Sequence, residues 1–516
     1  MSLRRLRFVP RQPELSLDRS PRHHLRPRPG QPRRGSRRRI SGVLLAGLLV
    51  GVPGLLALPT PAVTQAPVEG SWTGTLELPG GQELPLVFHI AREMDGTHSA
   101  TMDSPAQGAF GMPVESVVVS GDSVTLDLPP LQAQYRGVRT APERIQGNWE
   151  QGPAAFPLAL ERGAPAGEFA RPPRPQEPEP PFPYESEDVR YPNLEAGIEL
   201  AGTLTLPEGE GPFPAVALIT GSGAQDRDQA LMGHRPFLVL ADHLTRQGIA
   251  VLRSDDRGVG ESEGEFTAAT SRDFAGDAAA AVAYLRSRPE VDSERVGLVG
   301  HSEGGIIAPM VAVEWGGVDF VVLLASPGLP GTELLAMQGA AIGRAMGSTE
   351  DAIAESARVQ RAFFELILEE EDPDRRMERA EGMLRRTLEE SDPDEMAAQG
   401  IPPGGEDAWI SGQVQMAGSE WLRFFLAYDP REHLSQLDIP ALVLLGGKDT
   451  QVPAEENHPE LERALAGAPE AEVRILPGLN HLFQTAETGA PAEYAQIEET
   501  FAPVALEAIS AWILGR

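Results

Sequence analysis

The sequence predicts two folded parts in series: a small all-β barrel or sandwich, then an α/β unit whose mostly parallel sheet has helices on both faces and a helical lid insertion. Three observations predict this. Between 67 and 162, short runs of alternating apolar and polar residues are separated by turn residues. From 188 onward, short apolar runs alternate with helical stretches, the pattern of strands joined by crossover helices. At 295–306, a Val- and Leu-rich run meets an Ala- and Val-rich helical stretch across one serine, in Gly300-His301-Ser302-Glu303-Gly304.

The first segment, 1–66, lies outside both parts. Residues 1–39 hold thirteen Arg against Glu14 and Asp18, a charge of +11, and 40–66 carry none. The chain as a whole is −31, so the body from 67 to 516 carries −42. A body that acidic repels nucleic acid, which excludes it as a partner, and suits a salty or extracellular setting. The apolar run 40–58 follows Arg37-Arg38-Arg39 and precedes small residues that offer cleavage after Ala62 or Ala66, the order of a secretory signal. Ser36-Arg37-Arg38-Arg39 also loosely suits a twin-arginine signal. The expectation is a secreted or periplasmic protein. At about 19 residues the run is also long enough to stay as a membrane anchor, its one expected membrane contact. No cysteine occurs, which excludes disulfides, thiolate metal sites and a cysteine nucleophile.

In the front part, candidate strands are 71–78, 84–91, 97–102, 116–120, 123–128, 131–137, 144–149 and 156–161. Pro79-Gly80-Gly81, Asp95-Gly96 and Gly121-Asp122 supply turns between them. Trp72 and Trp149 read as core plugs rather than walls of a ligand mouth. His89 and His98 lack metal-ligand spacing and read as ordinary polar residues. The Pro-rich stretch 163–187 reads as a stiff, extended linker.

In the α/β part, strands are expected at 198–206, 215–220, 250–254, 296–299, 320–325, 441–445 and 473–476, with helices such as 237–247 and 274–286 between them. Working groups in such sheets collect past the carboxyl ends of the strands. Ser302 sits there, on a strand-to-helix turn so sharp that only glycine fits beside it, and its hydroxyl is a candidate nucleophile. A second match to the spacing, Gly260-Glu261-Ser262-Glu263-Gly264, follows Asp255-Asp256-Arg257-Gly258 with no apolar run directly before it and reads as a polar loop. A serine hydroxyl needs a histidine base and that base a carboxylate. Three histidines follow Ser302: His433 precedes a strand, His458 opens a helical stretch, and His481 follows the last strand in a Gly478-Leu479-Asn480-His481 loop. Asp449 follows the strand 441–445 directly, so the expected set is Ser302, Asp449 and His481 in that order. Oxyanion donors are expected at the Glu303 amide and, in the loop after 215–220, at the Ser222 amide with Gly223 as the other candidate. No metal or organic cofactor is called for.

With Gly221-Ser222-Gly223-Ala224-Gln225-Asp226-Arg227-Asp228, Asp256-Arg257-Gly258-Val259-Gly260-Glu261-Ser262, Gly300-His301-Ser302-Glu303-Gly304-Gly305, Gly447-Lys448-Asp449 and Asn480-His481 in place, residues 188–516 resemble the α/β-hydrolase superfamily. More narrowly they resemble bacterial EstD-type carboxylesterases, serine hydrolases of the S33 and S9 kind, which likewise have a β-rich N-terminal region. The resemblance implies an α/β-hydrolase fold, nucleophile Ser302, acid Asp449, base His481 and amide donors at Ser222 and Glu303. It implies a small-molecule ester as substrate.

Between 328 and 436 the chain is far longer than a connection needs, and helices at 334–346, 350–369, 376–390 and 419–428 read as a lid. Phe363, Phe364, Trp409, Trp421, Phe424 and Phe425 read as lid core and pocket wall. The acidic runs 369–372 and 392–395 read as solvated faces. The function expected is cleavage of small or medium acyl esters through an acyl-enzyme. Two other readings stay open: a serine aminopeptidase or acyl-peptide hydrolase, with lid carboxylates binding the substrate amine, and a non-catalytic protein whose front part grips a glycan or lipid.

Overall fold

The computed structural model describes residues 67–516 except 78–82, 94–95, 108, 132, 153, 164–171, 392–395, 397–400 and 402–403. The leader 1–66, with its expected cleavage sites and anchor, the Pro79-Gly80-Gly81 turn and the acidic run 392–395 lie outside the described residues.

The front part is one antiparallel sheet of nine strands: β1 (Gly70–Glu77), β2 (Glu83–Arg92), β3 (His98–Ser104), β4 (Ala109–Val114), β5 (Ser116–Ser120), β6 (Ser123–Leu128), β7 (Ala133–Ala141), β8 (Arg144–Gln151) and β9 (Ala154–Arg162), in the order β4-β3-β2-β1-β9-β8-β7-β6-β5. Alternation sets its inner face: Val124, Leu126 and Leu128 of β6 are buried and the residues between them are not. Trp72 and Trp149 join that core, with Phe88 tilted against Trp149 at 6.4 Å between centroids. The end strand β4 was not expected, because Gly111 and Pro113 mark it as a non-strand; proline is tolerated at a sheet edge, which is where β4 lies. His89 is less ordinary than it reads: it bridges Ser71 (2.9 Å) and the buried Asp103 (2.8 Å) across three neighbouring strands.

The second part is a sheet of eight strands, β10 (Glu185–Asn193), β11 (Ile198–Leu206), β12 (Phe213–Ile219), β13 (Ala250–Ser254), β14 (Val291–His301), β15 (Phe320–Leu324), β16 (Ala441–Gly446) and β17 (Glu472–Leu476), in the order β10-β11-β13-β12-β14-β15-β16-β17. β10 and β11 run antiparallel to their neighbours, and from β13 to β17 every pairing is parallel. This is the mostly parallel sheet expected for an α/β-hydrolase. Strands such as β15 and β16 are buried throughout because helices cover both faces. On one face α2 (Ser271–Ser287) and α3 (Glu303–Glu314) pack over Leu298, Leu323 and Val443. On the other, α1 (Pro236–Arg246) and the last helix, Pro503–Leu514, pack over Val251, Val322 and Leu444.

The stretch expected as linker enters this part earlier than 188. β10 opens at Glu185, and the Arg174 guanidinium donates to the carbonyls of Gly233, Ala495 and Ile497. Gln176 bonds the backbone of Thr500 and Phe501. Proline-rich composition signalled stiffness here, and the two polar side chains convert stiffness into docking.

Between β15 and β16 lie α4 (Gly331–Ala345), α5 (Glu350–Glu369), α6 (Pro373–Glu390), α7 (Glu406–Gly418), α8 (Glu420–Ala427) and the short α9 (Arg431–Leu434). Phe363, Phe364, Ile367, Ala380 and Leu384 give the insertion its own core, joined by Ile410 and Leu422. α7 was not expected: Ser411, Gly412 and Gly418 dilute its helical period. α6 begins three residues before the predicted 376, where Asp372 caps the amides of Asp374 and Arg375 and Pro373 takes the first turn. After β16 come α10 (Ala454–Ala464), α11 (Pro491–Tyr494) and α12, the last helix named above. Among the described residues no helix is long and apolar enough to cross a membrane.

Candidate active site

Ser302 stands between β14 and α3 with φ 54° and ψ −114°, a strained conformation for a residue with a Cβ. The turn is so tight that a Cβ on Gly300 would run into the Gly304 carbonyl, and one on Gly304 into the Ile219 carbonyl. Those contacts explain the flanking glycines, and they press the turn against the end of β12. Gly221, just past β12, would place a Cβ 3.3 Å from the Cβ of Ser302. The loop expected to supply an oxyanion donor is therefore packed on the serine.

That loop is held from below by two carboxylates. Asp256 accepts from the Thr220 hydroxyl (2.8 Å) and the Gln225 amide (2.9 Å), and its own amide donates to the Gln225 carbonyl. Asp255 accepts from the Arg227 amide (2.9 Å) and guanidinium (2.7 Å). Ser222 and Gly223 remain exposed at the loop's tip. On the other side, Glu303 is the first residue of α3, where helix amides have no intrahelical acceptor.

Asp449 lies on the turn after β16 and is buried. Its Oδ1 accepts from the amides of Gln451 and Val452, both at 2.8 Å, and its Oδ2 from His481 Nδ1 at 2.8 Å. His481, also buried, lies in the loop after β17. Asn480 shapes that loop, its Oδ1 accepting from the amides of Leu482 and Gln484. The other two candidate histidines are engaged elsewhere: His433 bonds Tyr428 and Glu314, and His458 faces Glu462 on α10. Ser262 is buried, donating to the Asp255 carbonyl and accepting from the Ala201 amide, so its hydroxyl ties a loop.

Sequence reasoning passed over the groups that join these pieces. His301, the residue before the serine, donates from Nε2 to the His481 carbonyl at 2.9 Å, and its ring lies 4.8 Å from the His481 ring. Gln229, buried at a φ of 52°, donates from Nε2 to His301 Nδ1 at 2.8 Å. Burial, with the nearby His481 adding to it, pushes the His301 imidazole down to about 3, so it is neutral and its tautomer is set by its two partners. The structure thus ties Ser302 to His481 through His301, rather than by a hydroxyl–imidazole hydrogen bond among the described residues. Such bonds often close only when substrate is bound.

Glu303 is 3% exposed. Its Oε1 accepts from the Ser271 hydroxyl at 2.6 Å and the Trp421 indole at 2.8 Å. Burial pushes its carboxyl above the ordinary range, against hydrogen bonds from Ser271, Trp421 and Ser222. Burial likewise lifts Asp256 to about 7, against the Thr220 and Gln225 bonds and helped by the charges of Glu303 and Asp277. Among the described residues no group of His, Asp and Glu side chains is arranged to hold a metal ion.

The family model described as X-Pro dipeptidyl-peptidase (S15 family) matches residues 196–463, which include the serine turn and Asp449 but stop short of His481. Esterase EstD of Thermotoga maritima is 28% identical over 296 residues, 57% of this chain and 61% of that protein. The aligned stretch therefore spans less than two thirds of that relative. Among solved structures, the Pyrococcus furiosus esterase Pf2001 superposes with a TM-score of 0.39 at 16% identity, covering 64% of this chain and 93% of that one. Est1E of Butyrivibrio proteoclasticus, solved with ferulic acid, has a TM-score of 0.36 at 16% identity over 63% and 98%.

Proposed function

The chain belongs to the X-Pro dipeptidyl-peptidase (S15) family, and from that premise we propose that it is a serine hydrolase of small or medium carboxylic esters. One observation carries the reading. A buried Asp449–His481 pair, 2.8 Å apart, is seated on the residue preceding a serine held at φ 54°. The carboxylate fixes His481 with its proton on Nδ1, leaving Nε2 to act as base. As Ser302 Oγ attacks the ester carbonyl, its proton passes to His481 Nε2, and the amides of Glu303 and Ser222 or Gly223 take the oxyanion. The imidazolium then protonates the leaving alcohol. Water attacks the acyl-Ser302 ester by the same steps in reverse and frees the acid. Neutral His301 beside the imidazolium adds no competing charge.

A second reading has specific support: the matched family is described as a dipeptidyl-peptidase, whereas the similar Thermotoga protein is an esterase. Paired turnover of p-nitrophenyl butyrate and an Xaa-Pro p-nitroanilide decides between them by kcat/KM. We expect the ester to be preferred, and Ser302→Ala to abolish its turnover. A wide preference for the anilide would make the protein a peptidase. A wild-type chain that turns over neither would leave only the third reading, a binding protein. We also propose export, on the basic and apolar order of 1–66; N-terminal sequencing of the mature protein tests it.

A further inference from the structure

Glu303 has two tasks that meet in one residue. Its backbone amide opens α3 beside the nucleophile, and its side chain is gripped by the lid. The grip comes from Trp421 on α8, whose indole N–H donates to Oε1 at 2.8 Å while its ring stacks on Phe425, 5.4 Å away between centroids. Ser271, the first residue of α2, donates to the same oxygen at 2.6 Å.

The lid side of this contact is itself anchored. Arg376 of α6 is fully buried, and its guanidinium donates to the Ala417 carbonyl (2.6 Å), the Gly418 carbonyl (3.2 Å) and Glu420 Oε1 (2.5 Å). Those three acceptors straddle the junction of α7 and α8. Ser419 caps α8 there, accepting from the Leu422 amide at 3.3 Å. A continuous chain of contacts therefore runs from α6 through the start of α8 to Trp421, to the Glu303 carboxylate, and by one residue's own covalent frame to its amide.

We propose that Glu303 is a positioning residue through which the lid sets an oxyanion donor: Trp421 seated on the carboxylate holds the first turn of α3, and with it the Glu303 amide, where the developing charge will form. The proposal rests on the hydrolase reading above. A carboxylate suits the task because one oxygen accepts from two elements at once and, being buried, tolerates the loss of neither donor. An oxyanion donor counts only in the transition state. Loosening it therefore lowers kcat and leaves ground-state binding alone, which separates this role from that of a pocket wall.

The test is a double-mutant cycle on the full chain, with p-nitrophenyl butyrate and a thermal melt of each variant. Trp421→Phe keeps the stack on Phe425 and removes only the indole donor; we expect kcat to fall about tenfold with KM within about twofold. Glu303→Ala should lose about a hundredfold, as for a misplaced oxyanion donor. Glu303→Gln, whose amide oxygen still accepts from both donors, should recover at least about tenfold over Glu303→Ala. The double variant Trp421→Phe/Glu303→Ala should be no slower than Glu303→Ala alone, because both remove one link. Multiplied losses in the double variant, or a rise in KM with kcat held in Trp421→Phe, would overturn the coupling. Turnover retained in Ser302→Ala would instead overturn the hydrolase reading, so the two failures are distinguishable.

Discussion

Replacing Asp449 by Asn changes one heavy atom and should nearly silence the site. The two oxygens of Asp449 have different partners: Oδ1 accepts two backbone amides, and Oδ2 faces His481 Nδ1. An Asn must keep its carbonyl oxygen toward the amides of Gln451 and Val452, since an NH2 there would meet two donors. Its Nδ2 is then aimed at His481 Nδ1, which has to become an acceptor. The imidazole proton moves to Nε2, and the base can no longer take the Ser302 proton. An enforced wrong tautomer costs about 10⁴ in kcat, or about 5 kcal/mol of barrier, with the fold intact. Asp449→Ala adds a structural loss, because the amides of Gln451 and Val452 are left without their acceptor at about 1–3 kcal/mol each. Steady-state turnover of p-nitrophenyl butyrate and urea denaturation separate the two effects: D449N inactive and stable, D449A inactive and less stable. A D449N variant keeping kcat within about tenfold of the wild type would refute the assignment of Asp449 as the group that orients His481.

Gly300→Ala should cost at least about 2 kcal/mol in urea denaturation and most of the activity, because the new methyl meets Gly304 backbone that cannot yield. Gly467→Ala, with nothing within 4 Å of the added carbon, is the silent control. His301→Phe strands the His481 carbonyl and the Gln229 amide, whose Oε1 already has no partner among the described residues; kcat should fall about 10- to 100-fold while KM holds. For Asp256, the sign follows from a folded carboxyl near 7 and an unfolded one near 3.9. Between those values the folded chain holds a proton that the unfolded chain has released. Its contribution to stability is therefore full below about pH 4 and lost as pH rises through 7, a slope to which the raised carboxyl of Glu303 adds. Melting temperatures at pH 4.5, 6 and 7.5 should fall less in Asp256→Asn than in the wild type; equal slopes would contradict this.

The parallel sheet was legible because burial on both faces leaves its strands almost wholly apolar, as in Phe320–Leu324. The candidate site was legible where backbone geometry demands glycine, at Gly300 and Gly304, and where chain order puts an acid and a histidine after late strands. What escaped notice has physical causes. β4 carries Gly111 and Pro113, and α7 has no clear apolar stripe, so local composition argued against structures that their neighbours stabilise. Arg174 and Gln176 looked like polar punctuation in a proline run, yet they bond segments more than three hundred residues away. No local pattern encodes a partner at that distance.

The two residues flanking Ser302 illustrate the same limit inside the motif itself. In a glycine-flanked serine turn they read as filler, because the steric argument constrains only the glycines and the serine. The turn that lifts the serine hydroxyl to the sheet edge, however, drives the residues on either side into the protein, and both are buried. A polar side chain forced inward must find partners or destabilise the fold. His301 finds them in Gln229 and in the loop that carries His481; Glu303 finds them in Ser271 and in Trp421 of the lid. The same strain that sets Ser302 at the turn thus requires its neighbours to reach the His481 loop on one side and the lid on the other. Chemistry at Ser302 should accordingly respond to substitutions at Gln229 and Trp421, neither of which the motif contains.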